Sequence, residues 1–490
     1  MTFQHAASPE QIAVFEEFKT GSGNVVIQAF AGCAKTTTVV EGINHAPEKT
    51  ILMCAFAKVN SEELKAKISN PNAVAKTLHS AGNSIIYKRA GKLQIDERRG
   101  RNIAQKVIIQ TFGIKNPTRE AVTLVAKLAS AGKNVSPFAT KDELIEIAAD
   151  FALEPTNDEL GEGEMPWTTE LVADCAHKAM ERATEYDGTI DFDDMIFLPV
   201  RQKWVRPQYD MVVVDEYQDM NPTQLMLARA LCKGRMVLVG DIYQAIYEFR
   251  GADAEFASTM VEQLKAKTLT LNTTFRCPKS VVRAAAELVP GYMAAASAPE
   301  GILRSEEFSK MFEQAQPGDF ILSRKNAPLA KICLRLLRDG KRALIRGRNI
   351  GEGLVSIVKG REARSIPELL ETLGIWEHNV VEGYIKSDAP EAKIELIQDQ
   401  ASTVRFLAEG LASVDELIAR IRSLFDDATP GNAVICSSVH RAKGLESARV
   451  FLIADTLYPG RRKNEEEIHI HYVAITRAKN ELVMVRGGAN

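Results

Sequence analysis

No run of about 18 apolar residues occurs in the 490-residue chain, which excludes a helical membrane span. The opening, MTFQHAASPEQ, lacks the basic-then-apolar layout of a signal peptide. Seven cysteines (Cys33, Cys54, Cys175, Cys232, Cys277, Cys333 and Cys436) are scattered and include no C-x-x-C pair. A zinc or iron–sulfur centre is therefore not expected, and a reducing interior is (cytoplasmic and nucleoid-associated, or nuclear). Strong net charge is missing too: a balance of −3 does not mark the whole chain as a nucleic-acid binder. What remains is a globular composition, 45% apolar and 26% charged, too long for one hydrophobic core.

The near-neutral average conceals segregation. Residues 85–134 carry eleven Lys/Arg against three Asp/Glu, whereas residues 141–194 carry three against seventeen. A second basic block, residues 324–361, has eleven against two. Solvated helix faces produce such blocks, and so does a groove that tracks phosphates.

Strand-like apolar runs followed by loops and helices fill the chain to about residue 87: NVVIQAF, KTILMCAF and AVAKTLH. A helical pattern without convincing strands follows to about residue 187. Strands return in YDMVVVDE, RMVLVGD, TLTLNTTF, GDFILSR and RALIRG, and after a second helical stretch in NAVICSS, ARVFLIAD and NELVMVRGG. Short apolar strands alternating with helices predict α/β domains built on parallel sheets, here two, each interrupted by a mainly helical insertion.

The segment IQAFAGCAKTTTVVEGI runs from strand to small-residue turn to helix and places Lys35 and Thr36 at the turn. A phosphate loop needs backbone N–H groups at a helix start, a lysine for the terminal phosphates and a hydroxyl for Mg²⁺. The usual pattern has glycine where Ala34 stands. A left-handed torsion there would cost alanine roughly 1–2 kcal/mol, whereas a helical torsion would only require room for a methyl. Further on, MVVVDEYQD delivers Asp215 and Glu216 at a strand end, where a parallel sheet presents its ligand edge. RMVLVGDIYQ brings Asp241 and Gln244 to a third strand end.

In order, SPEQ, AFAGCAKTTT, TLHSAG, IDFDDMI, VVVDEYQDMNPTQ, VGDIYQAIYEFRGAD, LNTTFRCP, ILSRKNAPL, RGRNIGEGL, SSVHRAKGLE and HYVAITRAKNEL resemble the motifs of the UvrD/Rep group of superfamily 1 DNA helicases, the F-box helicase branch in particular. The resemblance spans nearly the whole chain apart from the two helical insertions. It implies two RecA-like P-loop motor domains, one from 1–87 with 188–280 and the other from 281–349 with 428–490. The insertions are 88–187 and 350–427, the second shorter than that group's usual accessory domain.

By the same resemblance Lys35 binds the terminal phosphates of ATP, Thr36 and Asp215 hold Mg²⁺, Glu216 is the base, and Gln244 senses the γ-phosphate. Arg276 and Arg477 are the charge-stabilising fingers, Gln11 reads adenine, Phe275 stacks where the family has Tyr, and Glu446 lies near the ribose. Ala31, Gly32, Cys33, Ala34 and Thr37 complete the nucleotide-binding set. Phe56, Thr77, His79, Tyr247, Phe249, Arg250, Ser438 and His440 are assigned to the DNA strand or its coupling to ATP; taken singly, each aromatic also suits a core. Ser438 replaces the family's usual Thr and keeps the hydroxyl. The expectation is an active Mg-ATP-driven 3′→5′ translocase and helicase on single-stranded DNA and its duplex junctions. It would work as a monomer without a membrane, alongside replication or repair proteins. Alternatives are a motor that strips proteins without unwinding, a binding module without turnover, and RNA as the track.

Overall fold

The computed structural model describes residues 7–55, 58–151, 153, 155, 166–185, 188–246, 254–386, 391–426, 432–457 and 465–487. Phe56, Tyr247, Phe249 and Arg250 lie outside the described residues. By contact the chain divides into two compact units, Met1–Phe30 with Ala34–Leu271, and Ala31–Cys33 with Asn272–Asn490.

In the first unit six strands form one sheet in the order Ala73–Thr77, Ile51–Ala55, Tyr209–Asp215, Cys232–Gly240, Val25–Ala29, Lys267–Leu271. Every neighbouring pair is parallel. The central runs VVI, ILMC and MVVV are buried throughout, as expected where helices cover both faces of a sheet. Register sets Asp215 beside Val239, and Gln28 beside Gly240. Three strands therefore end level, and their carboxyl ends share one edge.

The helical insertion of this unit includes Arg99–Phe112, Arg119–Val135, Lys141–Asp150 and Thr169–Ala183. It has a core of its own, with Val125, Leu128, Leu144, Val172 and Ala176, distinct from the sheet cluster of Leu52, Val212, Val214 and Leu238. A short strand pair here was not read from the sequence: Gln94–Ile95 pairs with Thr189–Ile190, both too brief to show a period. Asp194, fully buried, accepts from Arg99 at 2.7 Å and Lys133 at 2.8 Å. Lys133 thus leaves the basic block of residues 85–134 and becomes a core ion-pair partner.

Seven strands build the second unit's sheet, in the order Ile302–Glu307, Ala478–Arg486, Ser447–Ile453, Phe320–Ser323, Val434–Ser438, Ala343–Arg346, Phe425–Asp426. All its pairings are parallel as well. The apolar run TLTLNTTF splits at the unit boundary: Lys267–Leu271 joins the first sheet, and Thr273–Thr274 pairs with Met293–Ala294. Helices Ile366–Lys386, Glu391–Ala408 and Val414–Leu424 form the second insertion. Unlike the first, it packs into the sheet's own core, where Leu373, Val404, Leu417 and Ile421 join Ile321, Leu329 and Val434. Two parallel sheets flanked by helices give the RecA-like α/β architecture expected. Among the described residues no helix is long and apolar enough to cross a membrane.

Candidate nucleotide and strand site

Strand Val25–Ala29 leads through the loop into helix Lys35–His45. Ala34, at the helix N-cap, has φ 54° and ψ 34°, the left-handed region, so the costlier of the two torsions is the one adopted. The helix start has neither a side-chain cap nor an acidic residue in its first turn. Its first N–H groups and the helix dipole therefore form a ready seat for an anion. Lys35 and Thr36 stand on that first turn, both half-buried.

The Lys35 ammonium lies 2.5 Å from Glu216 and 3.6 Å from Asp215. Strands in a sheet are about 4.8 Å apart, and Val25–Ala29 is separated from Tyr209–Asp215 by one strand, a gap that the long lysine side chain crosses. Burial would lower the Lys35 pKa, but Glu216 and Asp215 reverse this and hold it above the ordinary value. Burial pushes Asp215 up to about 6, against the pull of Lys35, and pushes Asp241 up to about 6, against the hydrogen bond from Gln244. Glu216 itself sits at φ 54°, ψ 44°, a second left-handed non-glycine beside the same lysine.

Gln244 donates to Asp241 Oδ2 at 2.7 Å, and Gln28 to Asp241 Oδ1 at 3.2 Å. Gln11 is buried; its Oε1 accepts the Ser8 N–H in a capping box and its Nε2 donates to Thr38. That amide anchors the first helix to the phosphate-loop helix, so reading an adenine edge requires these bonds to exchange.

In the second unit, Phe275 N donates to Gly32 O at 2.9 Å. A Cβ on Gly32, at φ 73°, would come within 2.6 Å of both Thr274 Oγ1 and Arg276 Cβ. Glycine is therefore required where the loop tip meets Arg276. Tyr472 accepts the Ala31 N–H at 2.9 Å while Tyr292 donates to the Ala31 carbonyl at 2.8 Å. Cys33 is buried. Arg276 pairs with Glu446 at 2.7 Å, and Glu446 also with Lys479 at 3.0 Å. Arg477 is 1% exposed and donates to the carbonyls of Val473 and Leu445 and to Thr476 Oγ1. Burial, reinforced by the like charge of Arg276, brings its pKa down to about 10.

Of the residues assigned to a strand, Thr77 caps helix Leu78–Ala90 and His79 follows on its first turn. Burial lowers the His79 pKa, partly opposed by Asp193. Ser438 is buried at the start of Val439–Ala442, with His440 half-buried on it. One aromatic passed over in the sequence is Phe192, in IDFDDMI, which is 51% exposed. It lines a cavity of about 470 Å³ together with Arg101, Lys127 and Ser130. Its signal was an aromatic between acids in a motif otherwise read only as the lead-in to a strand.

Among the described residues no three His, Cys, Asp or Glu gather into a metal cage. Mg²⁺ needs only one or two protein ligands, and a buried carboxylate such as that of Asp215 is of the required kind.

Residues 9–265 match the UvrD/REP helicase N-terminal domain family and residues 391–486 the UvrD-like helicase C-terminal domain. The chain is 26% identical to F-box DNA helicase protein 1 of Schizosaccharomyces pombe, over 96% of this chain and 56% of that protein. It is 26% identical to F-box DNA helicase 1 of Gallus gallus, over 95% and 48%. It is 24% identical to ATP-dependent DNA helicase PcrA of Staphylococcus epidermidis, over 56% and 39%. The chain thus spans about half the length of these relatives, or less. With one family covering more than half of its residues and a second domain of the same kind following, the chain belongs to the UvrD/REP helicase family.

Proposed function

We propose that the chain hydrolyses Mg-ATP and uses the turnover to move 3′→5′ along single-stranded DNA and open duplex. The observation that carries this reading is the ammonium of Lys35, held between Asp215 and Glu216 at an uncapped helix start on the carboxyl edge of a parallel sheet. In this reading Lys35 exchanges its carboxylates for the terminal phosphates, whose charge the helix N–H groups share. Thr36 and Asp215 would hold Mg²⁺, which neutralises phosphate charge when bound. Glu216, released from Lys35, orients the attacking water and takes its proton. Gln244 reports the γ-phosphate, and Arg276 and Arg477 add positive charge, a contribution worth about 10³–10⁵ in rate for such arginines. Phe275 would stack on the base, Gln11 read its edge and Glu446 approach the ribose.

DNA is favoured as the track by the names of the relatives, and the half-exposed ring of Phe192 suits stacking against a base. The motor halves would be 1–87 with 188–280 and 281–349 with 428–490, working as a monomer. The test is ATP hydrolysis with and without single-stranded DNA or RNA, paired with unwinding of duplexes bearing a 3′ or a 5′ tail. DNA-stimulated turnover and opening of the 3′-tailed duplex are expected; no strand-stimulated turnover would remove the reading.

A second reading draws on the second insertion, whose helices merge into the sheet core instead of forming a body of their own. With no separate body among that insertion's described residues to grip duplex, the motor would displace bound proteins but not strands. Turnover and protein displacement without opening of either tailed duplex would select it.

A further inference from the structure

Gln218 is 2% exposed, in the single turn Tyr217–Asp219 that follows the acidic pair. Its Nε2 donates to Glu216 Oε2 at 2.8 Å and approaches Asp219 Oδ2 at 3.4 Å. Its Oε1 accepts the backbone N–H of Asp241, on the neighbouring strand's end, at 3.1 Å. Asp241, fully buried, in turn accepts from Gln244 at 2.7 Å. One amide thus ties the tip of Glu216 to the segment that carries Gln244.

An independent observation marks this placement as built. Gly240 precedes Asp241, and a Cβ there would lie 2.1 Å from Gln218 Oε1 and 2.7 Å from the Tyr217 ring. The strand leaves out a side chain where the amide passes. Glu216 also holds a left-handed backbone torsion, so its carboxylate depends on neighbours for its aim.

We propose that Gln218 is a positioning residue for hydrolysis: it fixes the Glu216 carboxylate and, through the Asp241 backbone, links that aim to Gln244. This rests on the reading that Glu216 orients the attacking water. A misplacement of about 1 Å in such a group costs on the order of 10²-fold in rate. Substrate binding, carried by Lys35 and the helix start, does not pass through Gln218.

The experiment is steady-state ATP hydrolysis on single-stranded DNA by the full chain and two variants, with a fluorescent ADP analogue titrated into each. Gln218→Met removes both halves of the contact. Gln218→Glu keeps an acceptor for the Asp241 N–H but replaces the donor to Glu216 with a like charge. The inference expects kcat to fall about 10²-fold in both, with the ATP KM and analogue affinity within about threefold of the parent. If Gln218→Met fails to bind the analogue, Gln218→Glu decides alone. A kcat within threefold of the parent in an analogue-binding variant, or a loss confined to KM, overturns the inference. A parent chain without strand-stimulated turnover overturns the functional reading itself, so the two failures are told apart.

Discussion

Lys35 in the first unit and Arg477 in the second are both cations withdrawn from water, and their surroundings differ in kind. Lys35 has two carboxylates within 3.6 Å and a raised pKa. Arg477 donates to two carbonyls and a hydroxyl, stands near the like charge of Arg276, and has its pKa drawn down to about 10. The first charge is compensated locally and must be unpaired before it can serve a phosphate. The second is held by neutral acceptors, with a guanidinium geometry that a point charge does not reproduce. In the proposed mechanism, the group that must exchange partners is the flexible lysine, and the one that must be ready in place is the planar fork.

Breaking the lysine side should have the largest effect. Lys35→Ala and Glu216→Gln are each expected to lower DNA-stimulated ATP turnover by about 10³-fold or more, as read by steady-state hydrolysis. Turnover retained in either removes the role given to that residue. Next comes Arg477→Lys, which keeps the charge but loses the fork; a fall of about 10²–10³-fold is expected. Near-parental turnover there would mean that charge alone suffices, and the contrast would collapse.

Ala34→Gly sharpens the comparison more gently. Ala34 holds a left-handed torsion that glycine adopts without a Cβ penalty, so if the torsion is kept through nucleotide binding, glycine stabilises the fold and leaves binding alone. Thermal or denaturant unfolding should show a gain of about 1 kcal/mol, with the ATP KM unchanged within about twofold. A lowered KM instead would show that the torsion changes on binding. Smallest of all is Glu446→Gln, which loosens Arg276 at a partly exposed ion pair. Its stability cost should stay below about 1 kcal/mol, with the ATP KM rising about threefold if the ribose contact holds. A larger loss of stability would show that the pair is structural.

Much of this was legible in the sequence. Lys35, Asp215, Glu216 and Gln244 sit where strand-to-loop patterns placed them, because a parallel sheet sends every carboxyl end to one edge. The torsion of Ala34 was not legible, since an alanine is silent about φ until its neighbours are known. Nor was Gln218: its partner Asp241 is 23 residues away, and the space between them depends on Gly240. Lys133 read as part of a basic block and proved to be buried against Asp194, because local charge counts do not see acids 61 residues on. The two insertions looked alike as helical patterns and differ in whether their apolar faces close on one another or on a sheet.

Asp194 has a practical consequence for anyone who would cut this protein apart. Its carboxylate, at the edge of the first insertion, is held by Arg99 and Lys133 from within it. Grafting in a foreign helical body without an equivalent pair of cations would bury that anion with only the Asp191 N–H to meet it. The scaffold that remained would be expected to come apart, however carefully the ends were joined.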